Sequence, residues 1–202
     1  MDHETTTTTT EAAATEAAPD IAQTLRVAIT AAQVKALLRC AGTDDLRGYL
    51  NAICIDTTGP EPVAVATNGT VLLAVRLPAR NDDMANPRGQ WIIARDHFKS
   101  VKAEKSGRGL PFAIVVTCEH FGAREPTMQG GAGFSIKGAT TATGTTLDLG
   151  RFPDWRRVVP LNVSGVKAQY NCELAGIFGD AASDLNIKYA PIGHNGEAAG
   201  LV

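Results

Sequence analysis

The stretch Arg47–Pro78, RGYLNAICIDTTGPEPVAVATNGTVLLAVRLP, decides the fold of this chain. It contains three short runs that are typical of β-strands: Tyr49–Asp56, Pro62–Thr67 and Val71–Leu77. The turn formers Asn68-Gly69 predict a hairpin over Pro62–Leu77 with a type I′ turn, because both residues accept the positive φ that this turn requires. The first run is expected to pair beside the hairpin as the first strand of a meander.

The elements on either side of this stretch predict a repeated unit. A strand at Leu25–Ile29 is followed by Thr30-Ala31-Ala32-Gln33, which has the form of a capping box and begins a helix that ends near Cys40. With the three runs above, this gives the order β-α-β-β-β. The order recurs after a polar loop, with a helix that begins near Asp96 and ends near Glu104. The strands of this second unit are predicted at Gln90–Ala94, Phe112–Thr117, Gly133–Lys137 and Thr145–Leu149.

A third, incomplete unit is predicted after Pro160. It begins with a strand at Val166–Gln169, and Asn171 caps a helix with an apolar face. Two weaker strands follow at Ile187–Ala190 and Ala198–Val202. The chain is therefore divided into a disordered Thr/Ala-rich tail (1–20), a domain of two repeated units (21–150) and a linker with the incomplete unit (151–202).

The net charge of the chain without residues 1–20, called the body below, is compatible with DNA binding. The chain of 202 residues has 19 Lys and Arg against 21 Asp and Glu, or −2. Residues 1–20 hold five of these acids and no Lys or Arg, so the remainder has 19 basic and 16 acidic residues, or +3. A mildly basic body is compatible with binding to the DNA backbone if its cations lie on one surface.

Two segments of the sequence, each called a phrase below, match sequence motifs of a known family and occur in the same order. The first phrase consists of two parts, Arg47-Gly48-Tyr49-Leu50-Asn51-Ala52 and Val65-Ala66-Thr67-Asn68-Gly69-Thr70-Val71-Leu72. The second phrase is Gly150-Arg151-Phe152-Pro153-Asp154-Trp155-Arg156-Arg157-Val158-Val159-Pro160. This resembles the bacterial DNA polymerase III beta subunit, the sliding clamp, in which Gly-Arg-Phe-Pro-Asp-Tyr-Arg-Arg-Val-Leu-Pro occupies the later position. The resemblance covers residues 24–160 well and residues 165–202 more loosely. It implies an α+β DNA-clamp fold, with repeated β-α-β-β-β units whose helices lie on one face of curved antiparallel sheets.

The resemblance places the helices toward duplex DNA, and their basic residues are the predicted contacts. Arg95, Lys99 and Lys102 recur at i, i+4 and i+7 along the second helix, and Lys35 and Arg39 share a face of the first. Such a stripe also occurs on helices that merely face solvent. The full predicted set is Lys35, Arg39, Arg47, Arg95, Lys99, Lys102, Lys105 and Arg108, and its contacts would go to phosphates without reading the bases.

The resemblance also implies a groove that binds short hydrophobic peptides of polymerases and clamp loaders. The matching positions are Leu50, Thr67, Gly69, Thr70, Val71, Leu72, Pro153, Arg157 and Val158. Thr70-Val71 stands where the family has His-Arg, and the family's C-terminal tail is not matched. The alternative is that Leu50, Leu72 and Val158 are core residues.

The sequence gives little support for catalysis or for binding of a metal, a cofactor or a membrane. The histidines have no nucleophile signature nearby, and Gly130-Gly131-Ala132-Gly133 is not followed by the Lys of a phosphate loop. The four cysteines are interpreted as buried apolar residues, and neither a metal nor a cofactor is expected. No apolar run approaches the ~20 residues that span a bilayer, so no membrane association is expected and the compartment is expected to be the cytoplasm.

Three functional hypotheses follow. The first is a non-catalytic, clamp-like processivity factor that encircles duplex DNA as a homo-oligomer and tethers the replicative polymerase. The second is a non-ring adaptor, derived from a clamp, that binds a polymerase, a clamp loader or a host clamp. The third is a degenerate product without activity.

Overall fold

The computed structural model describes residues 23–43, 45–78, 87–103, 113–120, 131–147, 152–159, 171–189, 193–194 and 200–201. In these ranges the chain forms β1 Gln23–Thr30, α1 Ala31–Cys40, β2 Ala52–Asp56, β3 Val63–Thr67, β4 Leu72–Arg76, β5 Gln90–Ala94, α2 Arg95–Ser100, β6 Ala113–His120, β7 Gly133–Lys137, β8 Thr141–Thr145, α3 Trp155–Val158, α4 Cys172–Asp184, β9 Gly193–His194 and β10 Gly200–Leu201. The predicted tail, the strand at Val166–Gln169 and the cations Lys105 and Arg108 lie outside the described residues.

The eight longer strands form two antiparallel sheets. Their orders are β1-β6-β7-β8 and β4-β3-β2-β5. The predicted α+β class and the β-α-β-β-β order of both units are confirmed. The structure adds a strand exchange that the element order does not predict, because each unit gives its first strand to the sheet of the other. β1 pairs with β6 over all eight of its residues, and β5 pairs with β2.

The hairpin of the quoted stretch is confirmed, but its turn is not of type I′. β3 and β4 pair from Val63 with Arg76 to Thr67 with Leu72, which leaves a loop of residues 68–71. Within this fully described loop only Gly69 has a positive φ, of +93°. The Asn68 side chain instead accepts hydrogen bonds from the backbone N–H groups of Thr70 and Val71, both at 2.9 Å. The amide side chain therefore closes the turn locally, without a left-handed Asn.

Several other predicted boundaries were wrong, and residues 187–189 of the predicted strand Ile187–Ala190 form no strand. The run from Tyr49 becomes a strand only at Ala52, because Asp45–Leu50 forms a short 3₁₀ segment. The last strand of the second unit is Thr141–Thr145, earlier than the predicted Thr145–Leu149. The second helix ends at Ser100, and residues 101–103 continue in a non-helical conformation against the turn between β7 and β8. There the backbone of Ala139 donates a hydrogen bond to the Lys102 carbonyl at 2.7 Å.

The helix after β1 begins as its capping box predicts. The Thr30 hydroxyl accepts from the Gln33 backbone at 3.1 Å, and the Gln33 side chain accepts from the Thr30 backbone at 2.9 Å. Val34 and Leu37 of α1 and Phe98 of α2 enter one core that both sheets share. Burial of this apolar surface is the main stabilising contribution to the fold.

β2 is buried on both of its faces. Ile53 and Ile55 point into the shared core, whereas Ala52 and Cys54 pack in a second cluster with Phe152 from the later phrase. All five residues of β2 are consequently buried. The segment around Phe152 therefore covers the outer face of the sheet that the quoted stretch builds.

Cys40, Cys54 and Cys118 are buried as expected, but Cys172 is exposed at the start of α4. Burial raises the pKa of Cys40 to about 11 and that of Cys118 to about 12. Across the described ranges, none of the helices has the length and apolar character needed to cross a membrane.

Gly138 provides a test of the contact between the β7–β8 turn and the segment after α2. A Cβ added at Gly138 would lie 2.3 Å from the Lys102 carbonyl oxygen. We expect Gly138→Ala to lower the free energy of unfolding by about 1–3 kcal/mol, since the backbone must shift to relieve the clash. Urea unfolding followed by circular dichroism measures this. Gly133→Ala is the control, because a Cβ there meets nothing within 4 Å, and equal losses in both variants would contradict the prediction.

Candidate functional site

The two phrases that resemble a clamp are joined in the structure by the buried carboxylate of Asp56. Asp56 ends β2 and has no accessible surface. Its Oδ1 accepts from the Thr58 backbone at 2.9 Å and the Thr58 hydroxyl at 2.6 Å. Its Oδ2 accepts from Gln90 Nε2 at 3.1 Å, Trp155 Nε1 at 2.8 Å and Arg156 Nη1 at 2.5 Å. Trp155 and Arg156 belong to the later phrase, so this network fixes α3 beside the end of β2.

The aromatic and cationic members of the network also contact each other. The Arg156 guanidinium lies 4.4 Å from the centroid of the Trp155 ring, within the range of a cation–π interaction. Burial by itself would raise the pKa of Asp56, but the hydrogen bonds from Arg156, Thr58 and Trp155 outweigh it and lower this pKa to about 2. The carboxylate is therefore charged at neutral pH and fully engaged.

The predicted peptide-groove residues of the first phrase form one cluster at the β3–β4 turn. The Thr67 hydroxyl donates to the Val71 carbonyl at 2.7 Å and accepts from the Gly69 backbone at 3.0 Å. A Cβ on Gly69 would lie 3.7 Å from Leu50 Cδ1 and 3.1 Å from Arg47 Nη1. Arg47, predicted as a DNA contact, thus lies with the turn rather than with the helices.

The groove residues of the second phrase lie on or next to α3. Pro153 is half-buried, Arg157 is exposed and Val158 is 58% exposed. Leu72 of β4 and Trp155 of α3 pack on the same buried cluster, so the two halves of the predicted groove lie on the same face of the sheet. Leu50 and Val71 are core residues, whereas Val158, for which a core position was the alternative, faces solvent.

The predicted DNA-binding residues do not form the stripe that their spacing indicates. Arg95 lies at the first position of α2, where its guanidinium donates to the carbonyls of Gly42 at 2.5 Å and Ala41 at 3.3 Å. It therefore caps the end of α1 instead of facing outward. Lys99 is exposed and forms an ion pair with Asp96 at 2.9 Å. Lys102 is exposed but lies beyond the end of the helix.

Lys35 and Arg39 of α1 form ion pairs with α4. Lys35 Nζ lies 2.6 Å from Asp184 Oδ1, and Arg39 Nη1 lies 2.8 Å from Asp180 Oδ2. Arg39 Nε also donates to the carboxylate of Asp184. The DNA-binding role of these cations stays a prediction, and the structure adds α4 as their neighbour.

Sequence reasoning missed Asp56 and the two carboxylates of α4. The sequence does contain a signal for the α4 carboxylates, because Asp180 and Asp184 have the same four-residue spacing as Lys35 and Arg39. Two helices that pack side by side can match such pairs. For Asp56 the signal was weaker, since a strand that ends in Asp-Thr-Thr indicates only a turn capped by a carboxylate. Among the described residues, no cluster of His, Cys, Asp and Glu could hold a metal ion.

Comparison with solved structures returns bacterial sliding clamps, the family that the two phrases resemble. The clamp of Caulobacter crescentus is 22% identical with a TM-score of 0.45, over 73% of this chain and 37% of that one. The clamp of Pseudomonas aeruginosa bound to griselimycin is 21% identical with a TM-score of 0.44, over 74% and 37%. That of Bartonella birtlesii, also bound to griselimycin, is 23% identical with a TM-score of 0.43, over 69% and 36%.

The chain thus spans little more than a third of the length of each of these clamps. No protein-family model matches the chain, and no curated protein matches it.

The buried carboxylate predicts a specific loss of stability in acid. Because the pKa of Asp56 is about 2 in the folded chain and 3.8 ordinarily, its contribution is complete above about pH 4 and is lost as the pH falls toward 2. We expect the stability advantage of the native chain over Asp56→Asn to shrink by about 2 kcal/mol across this window. Urea unfolding at several pH values measures it.

Asp154→Asn, which makes the same substitution at an exposed carboxylate next to Trp155, is the control for this comparison. A constant difference between the native chain and Asp56→Asn from pH 5 to pH 2 would disprove the assignment.

Proposed function

We propose that this chain is a DNA polymerase processivity factor of the sliding-clamp type. It would encircle duplex DNA as a homo-oligomer and tether a replicative polymerase, and it would act by topology in the cytoplasm without catalysing a reaction. The observation that carries the proposal is the union of the two clamp-like phrases. In the second phrase, Phe152 and Trp155 pack on β2, the strand that begins at the end of Arg47–Ala52. Trp155 and Arg156 also donate hydrogen bonds to Asp56 at the end of that strand.

Oligomerisation is part of the proposal because a ring would be built from several copies of the chain. A ring needs complementary edges on every protomer, joined head to tail. The outermost strands are β1 and β8 in one described sheet and β4 and β5 in the other. These edges offer backbone groups through which neighbouring copies can pair.

The DNA contacts in this proposal are electrostatic and independent of sequence. Lys99 and Lys102 are exposed near the end of α2, and Lys35 is two-thirds exposed on α1. Lysines that contact phosphates hold the duplex without fixing a register, as sliding requires.

The partner surface in this proposal lies between the β3–β4 turn and α3. Val158 is an exposed apolar side chain, Arg157 is exposed next to it on α3, and Thr70 is exposed in the β3–β4 turn. A short hydrophobic peptide of a polymerase or a clamp loader suits such a surface, since an apolar anchor with a polar rim is the usual anatomy of peptide recognition.

One observation favours the non-ring adaptor as a second candidate. The ion pairs of Lys35 and Arg39 with α4 occupy two of the cations predicted to face DNA. An adaptor would bind the same peptides through Val158 and its neighbours without enclosing a duplex.

Solution mass and DNA topology separate the two candidates. We expect light scattering to show one closed oligomer whose mass does not change with concentration. We also expect nicked circular DNA to retain the protein after a high-salt wash, whereas linear DNA releases it, because a ring can leave only over an end. A monomer that binds polymerase peptides and no DNA would refute the ring and favour the adaptor.

The exposed lysines of the α2 region predict the salt dependence of binding. Replacing both in Lys99→Gln/Lys102→Gln should reduce the slope of log affinity against log salt by roughly two, since each lost phosphate contact contributes about 0.9. Fluorescence anisotropy with a labelled duplex measures the slope. Lys137→Gln/Lys188→Gln makes the same charge change at other exposed positions, and an equal effect in this control would show that only net charge matters.

A further inference from the structure

The helix α4 lies along α1 and covers its basic side. Leu174, Ile177 and Phe178 of α4 are partly buried against the core to which α1 contributes. Asn171 caps the helix, with its side chain accepting from the Glu173 backbone at 2.8 Å. Its carboxylates Asp180 and Asp184 then lie one turn apart, opposite Lys35 and Arg39.

The carboxylate of Asp184 is enclosed by these two cations. It accepts from Arg39 Nε, lies 3.4 Å from Arg39 Nη2 and lies 2.6 Å from Lys35 Nζ. Its side chain is only 6% accessible, whereas that of Asp180 is 64% accessible. The pKa of Asp184 is held below its ordinary value, first by the hydrogen bond from Arg39 and then by the one from Lys35.

A carboxylate that engages a guanidinium through two nitrogens presents the same chemistry as a phosphate of the DNA backbone. A duplex that reaches α1 must therefore compete with Asp180 and Asp184 for the same cations. While Asp180 and Asp184 hold Lys35 and Arg39, these two cations do not neutralise phosphates or release counterions.

The packing of α4 makes such competition feasible. Of its thirteen residues only Ala181 is buried. Elements with few buried apolar contacts open at a small fraction of the global unfolding free energy. Lys35 and Asp180 are about two-thirds accessible, whereas Arg39 is 35% and Asp184 6% accessible. The pair between Arg39 and the exposed Asp180 carboxylate adds little stability.

Resting on the proposed function, we propose that α4 is an internal competitor of duplex DNA: Asp180 and Asp184 occupy Lys35 and Arg39 in the free protein, and DNA displaces them. Lys35 and Arg39 then bind only a ligand whose phosphates present a higher local negative charge than the two carboxylates do. Weak association with isolated anions and strong, salt-sensitive association with duplex DNA follow from this competition.

The test compares two isosteric substitutions on α4 that make the same charge change. Asp184→Asn removes the enclosed carboxylate, and Glu173→Gln removes an exposed one at the opposite end of the helix. By anisotropy with a labelled duplex in about 50 mM salt, Asp184→Asn should bind roughly tenfold tighter, with a salt slope steeper by about one to two. Glu173→Gln should match the native chain within about twofold.

Hydrogen exchange on the native chain gives a second readout that does not depend on a substitution. We expect saturating duplex to lower the protection of amides 172–184, while β2 and β5 keep theirs. Asp180→Asn, at a mostly exposed position, guards against a folding defect in Asp184→Asn and should shift the affinity in the same direction by a smaller factor.

The outcomes separate this inference from the function on which it rests. DNA binding by the native chain, with equal affinity and slope in Asp184→Asn and Glu173→Gln, overturns the internal competitor and leaves the clamp function standing. Unchanged protection of α4 in the presence of duplex does the same. Binding by Asp184→Asn alone supports the inference, and the absence of binding by every variant at low salt overturns both proposals.

Discussion

The burial of one charged carboxylate, that of Asp56, constrains how distant segments of this fold are arranged. Asp56 has no accessible surface, and a buried carboxylate without partners would cost several kcal/mol. The five hydrogen bonds that it accepts come from its own turn, from β5 and from the segment around α3. Trp155 and Arg156 must therefore return to the end of β2, which brings Phe152 onto the outer face of the sheet.

This constraint also sets the candidate partner surface. With α3 fixed, Val158 and Arg157 face solvent, while Leu72 and Trp155 pack on the same buried cluster. The proposed partner surface combines residues far apart in sequence, and it depends on the network that fixes α3. In the proposed function, a rigid support of this kind would let a short peptide be recognised without prior rearrangement.

Electrostatics divides the predicted DNA-binding residues into groups with different roles. Arg95 stabilises the end of α1 through carbonyl groups, whereas Lys99 and Lys102 keep their charges at the surface. Lys35 and Arg39 are matched by two carboxylates of α4 at the same spacing. A net charge of +3 for the body without its tail says nothing about this division, because charge pairing depends on which helices are neighbours.

The sequence by itself determined the local structure: the capping box at Thr30, the hairpin across Asn68-Gly69, the repeated β-α-β-β-β order and the wording of the two phrases. These follow from short-range propensity and hydrogen bonding, so they can be read along the chain. Only the tertiary structure decided that β1 and β5 exchange sheets, that α2 ends at Ser100 and that α4 covers α1. Those outcomes depend on contacts between residues far apart in sequence, whose pairing no local pattern specifies.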